Sequence, residues 1–270
     1  MKFDMTTAWR DATAMIAANR EVLSVVAGIF FLLPSVGIAM AIPGTEQMVV
    51  ADAEQAEAQL VAIYGQWWWL LALVLIAQMI GTLAVLALLR DYNRPTVGEA
   101  LKIGIVGLLP YIAASLILGI VLAVVLGVLF AIATAVGGQG LLAVAVLVAL
   151  PVLFYTMVKF LLAGPVVAIE KVFNPVTVIT RSWQLTKGNS FRLALFYVLL
   201  FVCYAVISTV VAMVAGALGL VLGESAALLA GAILTGLVSA IATLIFVVVI
   251  AAVHRQLAGP SETAVSATFE

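Results

Sequence analysis

Four cations are the side chains best placed to do chemistry in this chain: Lys159, Arg181, Lys187 and Arg192. Three of them fall in one stretch, FNPVTVITRSWQLTKGNSFRL (173–193), together with Trp183. Ammonium and guanidinium groups bind phosphate and carboxylate oxygens through charge-assisted hydrogen bonds. Beside an anionic bilayer each contributes about 1 kcal/mol. Covalent or metal chemistry has far less to work with. The single cysteine, Cys203, lies in an apolar run, and the single histidine, His254, sits beside Arg255 at the end of another. That excludes a disulfide framework and any site needing two histidines. A Gly-rich phosphate loop and a G-x-S-x-G turn are both absent, and Gly137–Gly140 reads as a turn. The reading is therefore of a non-enzyme, with no cofactor, no metal and no nucleic-acid partner.

The elements that hold these cations must be membrane helices. Apolar residues make up 66% of the 270 and charged residues 9%, with a mean hydropathy of +1.29. Soluble domains are about 25% charged. Apolar runs of spanning length occur at about 22–42, 66–89, 103–136, 141–168, 190–222 and 225–253. They predict one all-α integral membrane domain of six spans over 1–258, with an acidic outer segment at 43–65 and a mobile tail at 259–270. The last four runs exceed what a ~30 Å hydrocarbon core requires, and Pro110, Pro151 and Pro165 are points for a kink or break.

Charge fixes the orientation. All twelve Lys and Arg residues fall on one side, against eight acids, for a net of +4. The other side carries Glu46, Asp52, Glu54, Glu57 and Glu224 with no cation, a net of −5. The positive-inside rule makes the first side cytoplasmic, with both termini there. Ala39-Met40-Ala41 has the small-x-small form of a signal-peptidase site. The apolar run before it is too long for a typical signal peptide, so the reading keeps it as a span.

Short amphipathic helices are expected at the surfaces. Asn174 and Pro175 start one, Val176, Ile179 and Trp183 share its apolar face, and Lys187-Gly188 ends it. Thr96 and Glu99 have capping-box spacing before the third span. Trp9, Ala12, Thr13 and Ile16 line a third such segment, which ends at Asn19-Arg20. The chain thus reads as three units, each an elbow helix followed by two spans, through triplication or convergent use of one device. A further amphipathic helix is expected in the outer segment, ending at Trp67, Trp68 and Trp69, which fan through ~200°. With Trp9 and Trp183 they read as interfacial anchors, a substrate gate at the three consecutive tryptophans being the alternative.

Residues 159–200 resemble the membrane domain associated with glycerophosphoryl diester phosphodiesterases and its stand-alone six-helix bacterial relatives. Pro165, Glu170, Arg181, Ser182, Trp183, Leu185, Thr186 and Gly188 carry the likeness, and RPTVGEAL (94–101) matches an earlier elbow. The resemblance implies a multi-pass protein of the bacterial inner membrane. It implies no catalysis, because the phosphodiesterase of fused members is a separate soluble domain.

Small residues recur every four positions: Gly119, Ala123, Gly127, Ala131 and Ala135 in the third span, Gly231, Thr235, Ser239 and Thr243 in the sixth. They predict close helix packing within the chain, with self-association or a lipid groove as the alternative. Lys159 is expected to snorkel to the inner interface if Gly164-Pro165 ends the fourth span; if the span continues through Pro165, it would lie inside the bilayer as a site for an anionic group or a partner carboxylate. With Arg181, Lys187 and Arg192 it would form a basic collar for membrane lipid, above all anionic phospholipid, or for a partner protein. The alternative is a transporter or scramblase that moves a lipid or amphiphile along a groove between the long helices.

Overall fold

The computed structural model describes residues 2–42, 53–90, 95–222 and 224–259, which are helical with no strand among them. Six stretches are long and apolar enough to cross a membrane: Met5–Ala41, Glu57–Leu88, Val97–Val136, Gly140–Ala168, Ser190–Leu218 and Leu229–Ala258. This is the architecture of a multi-pass helical membrane protein. The start of the acidic segment, Arg94 and the tail from 260 onward lie outside the described residues.

Helix α1 (Met5–Ala27) is capped by Asp4, whose carboxylate accepts from the Thr7 amide. It kinks at Asn19 (φ −127°, ψ 18°), where the side-chain amide donates to the Met15 carbonyl. Asn19-Arg20 does mark a change of direction. A π-helical turn (Gly28–Leu32) then leads into α2 (Leu33–Ala41).

Two expected breaks are missing. Helix α3 (Ala53–Leu88) carries Glu54, Glu57 and the three tryptophans into the second span as one rod. Helix α4 (Val97–Val136) starts at the Thr96–Glu99 capping box and runs on through Pro110, so RPTVGEAL leads into the span with no separate elbow. At 40 residues it is ~60 Å long, twice the hydrocarbon core.

A break the sequence placed elsewhere interrupts the fourth span. Helix α5 (Gly138–Phe160) stops before Leu161-Leu162, and a short helix α6 (Ala163–Ala168) follows with every residue buried. Helix α7 (Pro175–Leu185) is the amphipathic segment of the opening stretch, and α8 (Ser190–Leu222) and α9 (Glu224–Ala258) complete the chain.

The core gathers at the basic end. Leu23 and Phe31, Leu83–Ala87, all of α6, Val247–Val249, Val178 and Leu193 are buried there. Farther along, α4 and α8 expose Val124, Val128, Val206 and Val210.

The expected seam on α4 is corrected. A side chain added at Gly119 or Gly127 would meet nothing within 4 Å, and Ala123, Ala131 and Ala135 are exposed with them. The small stripe that packs lies in the other half of the helix, where Ala100, Gly104, Gly107 and Ala114 are buried. A Cβ on Gly104 would come 2.8 Å from the Ile80 carbonyl oxygen, and one on Gly107 2.7 Å from Val167. Gly127→Leu should therefore leave the melting temperature in detergent unchanged. A fall of more than ~2 °C would restore Gly127 to a packed seam.

On α9, Gly231 is buried and Ser239 half-buried, but the hydroxyls bond their own helix. Thr235 donates to the Gly231 carbonyl at 2.7 Å and Thr243 to the Ser239 carbonyl at 2.8 Å. The close approach there belongs to Gly236, where a Cβ would sit 2.8 Å from Val36 of α2.

Candidate functional site

Helix α7 forms where it does because both of its ends are written locally. The Asn174 side chain accepts from the Val176 and Thr177 amides at 3.0 and 3.3 Å, Pro175 supplies the first helical φ, and Gly188 takes the left-handed φ of 80° that ends the segment. Three consecutive side chains then seat it. Arg181 donates through Nε to Glu170 at 3.0 and 3.3 Å. Ser182, fully buried, donates to the Lys159 carbonyl at 2.6 Å, satisfying one of the acceptors that the end of α5 leaves open. Trp183 meets Tyr155 edge-on, with ring centroids 6.3 Å apart.

Glu170 is the hub. Its Oε1, the oxygen 3.3 Å from Arg181 Nε, also accepts from His254 Nε2 at 2.9 Å, and the histidine side chain is only 5% exposed. Burial alone would raise the Glu170 carboxyl, but the hydrogen bonds from His254 and Arg181, with their charges, hold it below its ordinary value. His254, which the sequence places beside Arg255 at the end of an apolar run, is a buried partner that ties α9 to the α6–α7 connection. The pair is 84 residues apart in sequence, and no local spacing marks it.

The start of the described chain is latched to the same end. Phe3 donates its amide to Asn189 at 2.9 Å and accepts from Arg192 at 3.5 Å. Gln256 bonds the backbone of Asp4, and Arg255 pairs with Asp11 at 3.0 Å.

The four proposed headgroup cations separate into different roles. Lys159 does not snorkel: it is 3% exposed, with its ammonium 5.4 Å from the centre of the Tyr155 ring. Arg181 is committed to Glu170 and half-exposed. Lys187 and Arg192 are exposed, and so is Lys171, whose φ of 57° marks the reversal before α7.

The tryptophans also differ. Trp9, Trp68 and Trp69 are exposed, Trp67 is half-buried with its ring 6.5 Å from that of Trp69, and Trp183 is held in the packing just described.

Beside Tyr155 a groove of about 520 Å³ runs between α5 and α8. Phe154, Tyr155 and Val158 form one wall and Phe191, Ala194 and Leu195 the other, with Ser190 at one end. The groove is apolar and open on its outer side, where Phe191 is 81% exposed.

No known family model, curated protein or solved structure matches this chain. Its function has to be argued from these contacts.

Proposed function

We propose that the chain is a non-enzymatic protein of the bacterial inner membrane, a stand-alone relative of the membrane domain it resembles. It binds or organises anionic phospholipid at the cytoplasmic leaflet. The observation that carries this reading is the environment of α7. Val178, Ser182 and Leu185 fasten one face to the core, while Lys171 and Lys187, just outside its two ends, stay exposed with Arg192 beyond. In this reading α7 lies along the membrane surface as an elbow, and the exposed cations meet lipid phosphate. The transport alternative asks for a polar path between helices, and the apolar lining of the α5–α8 groove favours binding over passage.

Native mass spectrometry of the detergent-purified protein tests the reading. Lys171→Glu/Lys187→Glu should lower the amount of co-purified acidic phospholipid at least about tenfold, given ~1 kcal/mol per cation. Equal retention in wild type and variant would sink the proposal.

A further inference from the structure

Lys159 stands apart from the other cations. It is 97% buried by the measure of its 3% exposure, yet among the described residues its ammonium has no ion pair and no hydrogen bond. Its one electrostatic partner is the face of Tyr155. An ammonium largely removed from water without an anion is costly, and a cation–π contact offsets only part of that. The Nζ is not among the fully enclosed unbonded side-chain atoms, Gln59 Oε1 and Tyr197 OH, so it keeps a contact with the surface. The site is electrostatically incomplete, and it lies beside a cavity. Tyr155, which carries the ammonium on its ring, is half-exposed and forms a wall of the α5–α8 groove, and Val158, next to Lys159, forms the same wall.

The groove has the shape and chemistry of a hydrocarbon chain. Its α8 wall uses Phe191, Ala194, Leu195 and Val198, one face of the helix. From Ser190 to Val198 it extends ~12 Å, close to the depth of one leaflet of a ~30 Å core. A positive charge on the face of an aromatic ring that walls an open apolar slot fits a molecule with an anionic head and an apolar tail.

We infer that the groove between α5 and α8 holds one acyl chain of an acidic phospholipid whose headgroup pairs with Lys159. This deepens the function proposed above, and rests on it for the class of ligand. It assigns the specific lipid to a buried cation inside the bundle and leaves the exposed cations a looser, less selective layer. Trp183, edge-on to Tyr155, would hold that ring in place beside the ammonium.

The test uses the full chain in detergent with added phosphatidylglycerol, phosphatidylcholine as the neutral competitor, and native mass spectrometry as the readout. The wild type should keep one phosphatidylglycerol that phosphatidylcholine does not displace. Lys159→Met, which preserves bulk and removes charge, should weaken its retention about tenfold. Ala194→Phe, which narrows the slot and keeps the lysine, should do the same and carries the test should the methionine variant fail to fold. Equal retention of the neutral lipid, or wild-type retention in both variants, would overturn the inference. So would displacement by millimolar inorganic phosphate alone, which would make the site one for free anions.

The surface variant separates the two proposals. A tight lipid that survives Lys171→Glu/Lys187→Glu but not Lys159→Met supports the groove, and loss of only the looser acidic lipid from the surface variant supports the surface layer. The opposite pattern supports the surface layer and overturns the groove.

Discussion

Glu170→Leu should melt about 5–10 °C below the wild type, the largest loss expected from any single polar side chain here. The substitution strands His254, whose ring is buried with the carboxylate as its partner. An unsatisfied buried donor costs ~1–3 kcal/mol. Arg181, 40% exposed, adds little, because water replaces its lost partner. Arg181→Ala alone should therefore shift melting by only ~1–3 °C. Glu170→Leu/His254→Leu should recover part of the loss, since replacing both partners with apolar groups removes the orphan as well as the bond. A double variant no better than Glu170→Leu would mean that the hydrogen bond to His254 is not what stabilises the hub.

Acid provides an independent check. Because the folded Glu170 carboxyl titrates below its ordinary value of 4.5, its contribution is complete above that value and lost as pH falls through the lower, folded one. The gap between wild type and Glu170→Leu should be constant near neutrality and narrow below pH 4.5. A gap that widened in acid would reverse the sign assigned to the pair.

Gly104→Leu should damage the bundle comparably, by about 3 kcal/mol. The new Cβ would face the Ile80 carbonyl oxygen at 2.8 Å and the Ala84 amide nitrogen at 3.4 Å. Both are backbone of α3 and neither can turn aside, so α4 must move away from the helix it packs on most extensively. Gly107→Leu meets a Val167 methyl first, which has some freedom to move, and should cost less. Melting curves of Gly104→Leu and Gly127→Leu side by side decide where the seam of α4 lies. Coincident curves would mean that neither stripe holds the bundle together.

Much of this architecture is legible in residue order because its causes are local. The six apolar stretches follow from hydropathy alone. Asn174-Pro175, Gly188, the Thr96–Glu99 box and the turn at Asn19 act within four residues of themselves, and each stands where its chemistry puts it.

The faces of the helices are another matter. In water an apolar stripe points inward, but α4 and α8 are apolar all round, so the stripe that packs and the stripe that faces lipid have the same composition. Gly119–Ala135 and Ala100–Ala114 were therefore indistinguishable, and only the approach of α3 separates them. Lys159 was misplaced for a related reason. The helix ends at Phe160, before Gly164-Pro165, because Ser182 from α7 is there to take a freed carbonyl. Nothing within 20 residues of the break announces that partner.

The latch at the basic end has a consequence for the order of biosynthesis. Phe3, Asp4 and Asp11 leave the ribosome early, yet their partners are Asn189 and Arg192, Gln256, and Arg255. Glu170 likewise waits for His254. Of these bonds, a nascent chain with five spans inserted can form only those of Phe3 to Asn189 and Arg192, and it lacks α9, the helix on which α1 packs most. Helix α9 thus acts as a closing key, and until it arrives α1 lacks most of its packing.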